Sequence, residues 1–420
     1  MPIISVSGQR TGEGPLTWGQ RAQLRIVLML GDEAPESNLA SMGLLPAGID
    51  VRTALAWIGT LVSAFDSMRT RIVPDSGDWA QVLDGSAEFH VTLVAASATD
   101  AAQVAAAERV RLKRTMFRLD ERLVRFSLVV DGNRALALVW AASHLVTDLW
   151  GRRALDAVAY TPGGEFDPGI QPLERLAFEQ SPTGIDLSKR AITHYRRQLE
   201  LTGSDPFPAV RAPRDGFRFW YGTWSSAAMA TGMEEQAVAN STTTASVLRA
   251  AINSALAEEA GRDRLTMTIV AANRLDPPTR AAVGSFTQLV PTTIGRAAWP
   301  AQVSRAAMAN LQALQRGSFD PLALDDLEAE LGTAAPDITM TLNDMRLPAV
   351  ADPTADGRSS PGRLDWTGHN NAGASTYYLW VGGDRTMLTA QVMVDSTRLS
   401  LDQAECILSR AEARLASSAA

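Results

Sequence analysis

Trp140-Ala-Ala-Ser-His-Leu-Val-Thr-Asp-Leu-Trp-Gly151 connects an apolar segment to a helical one and carries one histidine and one aspartate between them. Residues 135–141 are all apolar, which predicts a strand that ends just before His144. Residues 149–159 have helical character, so Asp148 lies where a helix begins. This arrangement can present a basic imidazole to a cleft. The alternative is a hydrogen-bonded structural histidine followed by an N-cap aspartate.

The residues around this stretch predict the fold class. Two strand patterns, 123–130 and 135–143, flank Asp131-Gly132-Asn133, and an Asp-Gly turn between two such patterns is typical of a β-hairpin. Strand and helix patterns then alternate along the whole chain. We therefore expect an α+β protein with two halves, each a sheet packed by helices. The N-terminal half, 1–170, carries the His-x-x-x-Asp motif, and the C-terminal half is 171–420.

The composition limits the possible functions. The chain has 420 residues, of which 46% are hydrophobic and 20% charged, as in soluble globular proteins with room for two domains. A net charge of -7, from 39 basic and 46 acidic residues, argues against a nucleic-acid partner. No apolar run approaches the roughly 20 residues of a membrane span, and no signal peptide is visible. We expect a cytoplasmic protein without a membrane partner.

The number and spacing of cysteines and histidines limit the disulfides and metal sites that the chain can form. The single cysteine, Cys406, excludes an intramolecular disulfide, and it lies in an amphipathic helical pattern that predicts a small core residue. The four histidines show no spacing typical of metal ligands. The sequence therefore predicts no metal site.

Several motifs, in order along the chain, resemble those of condensation domains from non-ribosomal peptide synthetases. The matching segments are Pro15–Leu24 for the opening motif, Ser63–Arg71 for the second, Ser143–Asp148 for the His-His-x-x-x-Asp-Gly active-site motif, and Val283–Thr293 for the Val-Gly-x-Phe-x-Asn-x-x-Pro motif. Weaker matches fall at 317–321 and 342–346. The resemblance covers the chain from residue 15 to its C-terminus.

This resemblance implies a chloramphenicol acetyltransferase-like fold, in which two pseudo-symmetric halves form a V with a tunnel between them. Members of this kind join an acyl or aminoacyl group, held as a phosphopantetheine thioester on a peptidyl or acyl carrier protein, to an amine or alcohol. The resemblance therefore implies no bound cofactor, with the phosphopantetheine arm of the carrier, or CoA, as the donor. The chain shows no adenylation domain or carrier attachment site. We therefore expect a stand-alone enzyme of antibiotic or related natural-product biosynthesis, acting on a carrier protein in trans.

The resemblance also assigns roles to residues. His144 would act as general base on the acceptor, or position it and stabilise the tetrahedral intermediate. A histidine suits both roles because its unperturbed pKa of about 6.5 lies near working pH. Asp148 would be structural and would pair with Arg274. Further candidates for residues along the substrate tunnel are Arg69, Ser285, Gln288, Trp366 and His369.

The chain departs from the family pattern near its centre. Ser143 replaces the first histidine of the motif, and Leu149, followed by Trp150 and Gly151, replaces its glycine. Glycine at that position lets substrate approach the backbone, so a leucine would narrow the tunnel. These departures support a second hypothesis, a catalytically silent domain that recruits a partner enzyme to a carrier protein. A third is an acyl-CoA-dependent acyltransferase. The sequence leaves open the donor, the acceptor, and whether an amide or an ester forms.

Overall fold

The structure, a computed structural model, describes residues 1–332, 338–346 and 361–417. The chain divides into two compact units. The first contains Met1–Asp186 and Ala272–Thr287, and the second contains Leu187–Ala271 and Gln288–Ala420. The sequence prediction, 1–170 and 171–420, places the boundary earlier and leaves 272–287 in the C-terminal half. The reason for the difference is that side chains of 272–287 bond to residues of the first unit, as shown below.

The elements follow one another as mixed strands and helices, which confirms the predicted α+β class. The strands are β1 Ile3–Ser7, β2 Gly12–Pro15, β3 Leu39–Leu44, β4 Thr70–Asp75, β5 Asp78–Leu83, β6 Ser86–Ala95, β7 Val124–Asp131, β8 Arg134–Ala142, β9 Phe219–Ser226, β10 Arg264–Ala271, β11 Gln288–Gly295, β12 Met340–Asp344, β13 Arg363–Asn370, β14 Tyr377–Gly383 and β15 Leu388–Asp395. The helices are α1 Trp18–Leu30, α2 Val51–Ala64, α3 Ala101–Lys113, α4 Leu149–Ala159, α5 Pro172–Glu179, α6 Pro182–Thr202, α7 Ala227–Ala239, α8 Thr244–Glu259, α9 Pro277–Ala281, α10 Trp299–Gln315, α11 Pro321–Leu331 and α12 Leu401–Ser417. Among the helices within the described residues, none combines the length and apolar character that a membrane span requires.

The first unit contains a five-stranded sheet of order β1-β6-β7-β8-β3 and a three-stranded sheet of order β2-β5-β4. The predicted hairpin is confirmed, because β7 and β8 pair antiparallel around a turn in which Gly132 has a φ of 58°. Strand β8 pairs with β7 on one side and β3 on the other, and α2 and α3 both pack against it. This burial explains its apolar sequence, since a strand covered on both faces has no polar side.

The second unit is built on a seven-stranded sheet of order β11-β10-β12-β14-β15-β9-β13. Helix α8 is buried along its whole middle, from Ser246 to Ala257, and contacts α7, α10 and α12. Its alanine-rich sequence allows these helices to approach it closely from several directions. The one large charged side chain inside this buried stretch is that of Arg249, which is fully buried.

Candidate functional site

The turn that carries His144 begins where β8 ends. The backbone N–H of Ser143 donates to Leu123 O at 2.9 Å, and the N–H of Val146 then closes the turn onto Ser143 O at 3.1 Å. Ser143 itself is buried, whereas His144 is half-buried. Strand β8 therefore ends in a hydrogen-bonded turn that holds the half-buried imidazole.

The surroundings of His144 favour the neutral form of its imidazole. Its Nδ1 atom is buried and has no hydrogen-bonding partner among the described residues. Burial lowers the pKa of His144, because removal from water disfavours the charged ring, while the charge of Asp148 and the residue's own backbone oppose this effect. Near neutral pH the ring is therefore free to accept a proton.

Asp148 is fully buried, and both of its carboxylate oxygens accept hydrogen bonds from structural partners. Its Oδ1 accepts from the backbone N–H of Gly151 at 2.8 Å, which caps α4, and also from Arg274 Nη2 at 2.8 Å. Its Oδ2 accepts from the backbone N–H of Phe286 at 3.0 Å. The aspartate thus fixes the start of α4 against the segment 272–287.

Arg274 completes this arrangement. Its Nη2 also donates to Gly284 O at 2.9 Å, and its Nη1 donates to Ala282 O at 2.8 Å. The guanidinium carbon lies 4.5 Å from the centre of the Phe286 ring, a cation–π contact. The structure therefore brings Asp148 and Arg274 together, as the family resemblance implied. One arginine holds both the carboxylate and the backbone of the loop that follows α9.

The three residues after Asp148 differ in their burial and in the groups that they contact. Leu149 is half-buried, and Trp150 is 39% exposed with the guanidinium of Arg153 4.8 Å from its ring centre. A Cβ atom on Gly151 would lie 2.5 Å from Thr147 Oγ1 and 3.0 Å from the backbone N of Gly284. Position 151 therefore requires glycine, because the loop of Asp148 and Arg274 packs directly on the first turn of α4.

Arg69 packs inside the first unit, and a role for it along the substrate tunnel stays a prediction. Its side chain is fully buried, forms an ion pair with Asp66 through Nη2, and donates from Nε to Val62 O at 3.2 Å. The guanidinium fills the space above Gly8, where a Cβ atom would lie 1.9 Å from the guanidinium carbon. Its hydrogen bonds and burial make Arg69 a packing residue of the first unit.

Ser285 lies close to the turn of His144. It lines a narrow cleft of the first unit together with Thr17, Gln20, Leu145 and Val146. Its Oγ is buried without a hydrogen-bonding partner in the described part of the chain. A free hydroxyl beside this turn leaves Ser285 as a candidate for contact with substrate.

The other three tunnel candidates lie in the second unit. Gln288 is buried and bonds in both directions with the backbone of Phe319, donating to its O at 2.8 Å and accepting from its N–H at 3.2 Å. Trp366 is half-buried in β13. His369 is exposed and stacks on Phe217, with ring centres 3.7 Å apart. Gln288 therefore holds the chain before α11, whereas a tunnel role for Trp366 and His369 stays a prediction.

Sequence reasoning missed the role of the opening motif. Thr17 caps α1 in a reciprocal pair with Gln20. Gly19 packs so closely on the Ser285 carbonyl that a Cβ atom would lie 2.0 Å from its oxygen. The motif therefore supports the segment that holds Arg274. The sequence offered one signal of this contact, the glycine that follows Trp18 at the start of a helix. That signal does not reveal that the glycine packs on Ser285, far away in the chain.

Comparison with known proteins gives structural matches only. No family model matches the chain, and no curated protein matches it. Among solved structures, the condensation domain that mediates chain release from the enacyloxin polyketide synthase matches 99% of this chain and 84% of its own, with a TM-score of 0.78 at 16% identity. The fold is that of condensation domains.

Two further matches show how widely this fold is used. SgcC5 from Streptomyces globisporus matches with a TM-score of 0.71 at 15% identity, over 96% of this chain and 98% of its own. The X-domain from teicoplanin biosynthesis matches with a TM-score of 0.67 at 18% identity, over 98% of this chain and 96% of its own. That X-domain has also been solved in complex with OxyB. The condensation-domain fold alone therefore does not decide which activity this chain has.

Proposed function

We propose that this protein is a condensation-type acyltransferase that joins an acyl or aminoacyl group, held as a phosphopantetheine thioester, to an amine or alcohol. The observation that carries the proposal is His144, a half-buried imidazole with a lowered pKa in the turn after β8, four residues before the buried Asp148. A neutral imidazole in this position is suited to general base catalysis.

In the proposed reaction, the imidazole of His144 accepts the proton of the acceptor amine or hydroxyl as its nitrogen or oxygen attacks the thioester carbonyl carbon. The resulting tetrahedral intermediate then expels the phosphopantetheine thiolate, which receives the proton from the imidazolium. A new amide or ester bond forms as the thioester bond breaks. Asp148 does not exchange protons in this scheme, because its oxygens already accept from Gly151, Arg274 and Phe286.

The proposed donor partner is an acyl or peptidyl carrier protein acting in trans. The enacyloxin domain mediates chain release from a polyketide synthase, and by that likeness we infer that this protein also accepts a thioester-bound chain. A natural-product pathway inside the cell is the context that fits such a donor. The same chemistry is possible with CoA, and the experiment below separates the two donors.

The test is mass spectrometry of a loaded carrier protein incubated with candidate amines and alcohols. Wild type should release the acyl group as an amide or ester, and His144→Ala should lower this rate by about 10²–10⁴-fold, the usual contribution of a general base. His90→Ala is the matched control, because His90 is an exposed strand residue and should retain wild-type activity. A parallel series with the acyl-CoA identifies the preferred donor. Equal rates for His144→Ala and wild type would refute the proposed role.

A second candidate function is recruitment of another enzyme to a carrier-bound chain without catalysis. Ser143 and Leu149, which depart from the family motif, favour it, and a structurally similar X-domain has been solved in complex with another protein, OxyB. Under this hypothesis neither wild type nor His144→Ala forms product, and both bind the carrier equally well. Product formation by wild type alone would exclude it.

A further inference from the structure

A pocket of about 750 Å³ lies in the first unit, between β1 and α2. This volume falls in the range typical of binding pockets. Its walls include Ser5 and Ser7 of β1 and Gly59, Thr60 and Ser63 of α2. The reaction proposed above uses none of these residues, so the pocket requires its own explanation.

One wall of the pocket is the open edge of a sheet. Strand β1 is the terminal strand of the five-stranded sheet and pairs antiparallel with β6. Because the N–H of Val91 donates to Pro2 O, the alternation of an antiparallel ladder directs the backbone N–H and C=O groups of Ile3, Ser5 and Ser7 away from β6. Within the described ranges, no strand pairs with the edge of β1 that faces away from β6. It presents donors and acceptors at the two-residue spacing of a strand.

The other wall of the pocket, formed by α2, leaves room for one more strand beside β1. Gly59 lies close to β1, since a Cβ atom there would be 3.6 Å from Val6 Cγ1. Thr60 and Ser63 continue the same face of α2 with short side chains, and Thr60 is exposed. Helix α2 therefore forms a shallow floor beside β1, over which an added strand could lie with its side chains against small residues.

The charges around the pocket define the chemistry of its occupant. Arg10 and Asp66, which both line it, form an ion pair at 2.7 Å, and Arg10 also pairs with Glu174 at 2.8 Å. The remaining walls combine hydroxyl and backbone groups with apolar side chains such as Leu55 and Pro168, and none of them carries a charge. Since the charged groups of the pocket already have counter-charges, a charged ligand would gain nothing from them, and an uncharged ligand fits best.

We propose that this pocket binds an uncharged, extended peptide segment of a partner protein, which pairs with the open edge of β1 as an additional strand. A polypeptide backbone is the ligand that satisfies alternating N–H and C=O groups along several residues. The competing occupant is a second copy of this chain. A second copy would bring its own α2 beside its β1, whereas the pocket accommodates a single strand, so we favour the peptide.

The test uses the full chain with ¹⁵N-labelled serine and a capped probe peptide, acetyl-Thr-Val-Thr-Val-Thr-amide, at millimolar concentration. The amide signals of Ser5 and Ser7 should shift on addition of the peptide. A fully N-methylated version should leave them unmoved, because it has no N–H to donate. Ser5→Pro removes one outward N–H, which an edge strand tolerates, and Thr60→Trp fills the pocket. Each substitution should weaken binding about tenfold.

Two controls make the outcome decisive. Thr53→Trp changes an exposed threonine of α2 outside the pocket and should bind the peptide as wild type does. His144→Ala should also bind it, which separates this proposal from acyl transfer. The proposal is overturned if Ser5 and Ser7 do not shift, if the N-methylated peptide binds equally, or if a normally folded Thr60→Trp still binds. A dimer in sedimentation that Ser5→Pro dissociates would assign the edge to a second copy and also overturn it.

Discussion

Two buried arginines, Arg274 in the first unit and Arg249 in the second, have different partners. In the first unit, Arg274 bonds to the Asp148 carboxylate and to backbone carbonyls. In the second, Arg249 donates to Asn310 Oδ1 at 2.7 Å and to Thr292 Oγ1, both neutral oxygens. Its Nε has no partner, and no carboxylate of the described residues forms an ion pair with it. Burial without a counter-charge lowers the pKa of Arg249 to about 9.

This difference shows that a buried charge in this fold has two distinct consequences. Arg274 neutralises a carboxylate and fixes a loop beside His144, so its removal would expose a second charge. Arg249 has no buried carboxylate to neutralise, so its removal leaves only the neutral oxygens of Asn310 and Thr292 without a donor. The same substitution in the two places should therefore change stability by different amounts, and the predictions below test this in order of decreasing effect.

The largest effect is expected for Arg274→Met. The substitution leaves Asp148 buried and uncompensated, and we expect the free energy of unfolding to fall by about 3–5 kcal/mol. Urea denaturation measures it. The control is the double variant Asp148→Asn/Arg274→Met, which removes both charges and should lose less than the two single variants together. A loss below about 1 kcal/mol for Arg274→Met would contradict the view of this pair as the anchor of the loop.

A smaller effect is expected for Gly151→Ala, which tests the packing around the same pair without changing its charge. The added methyl group would lie 2.5 Å from Thr147 Oγ1 and 3.0 Å from Gly284 N. We expect a loss of about 1–3 kcal/mol from overpacking, again by urea denaturation. Gly368→Ala is the matched control, because a Cβ atom there meets nothing within 4 Å. If both variants are equally stable, α4 and the loop are less tightly packed than described.

Arg249→Met should have a smaller effect still. The substitution removes a buried charge, which favours folding, but it leaves the oxygens of Asn310 and Thr292 without their donor, which opposes folding by about 1–3 kcal/mol. These effects offset each other, so the free energy of unfolding should change by less than about 2 kcal/mol. The comparison of the two arginines fails if Arg249→Met is as destabilising as Arg274→Met in the same urea experiment.

The same comparison shows what the sequence could predict. The helix predicted at 149–159 is α4, and the strand predicted at 135–143 agrees with β8 to within one residue at each end. Both followed from local hydrophobic patterns. The family resemblance implied the pairing of Arg274 with Asp148, but not that the whole segment 272–287 belongs to the first unit, because its other bonds go largely to backbone groups, which have no signature in the sequence. The burial of Arg69 could not be predicted either, since motif position does not reveal whether a side chain is exposed.

The smallest effect is expected in the titration of His144. Burial lowers its pKa, so NMR titration should place it below the unperturbed value of about 6.5. The unfolded chain then binds the proton more readily. The stability contributed by this histidine is therefore present above about pH 6.5 and is lost as the pH falls through the folded-state pKa. Arg274→Gln removes the positive charge paired with Asp148, so more of the carboxylate's field reaches the imidazole and its pKa should rise. An unchanged pKa would mean that the ion pair acts on His144 only through geometry.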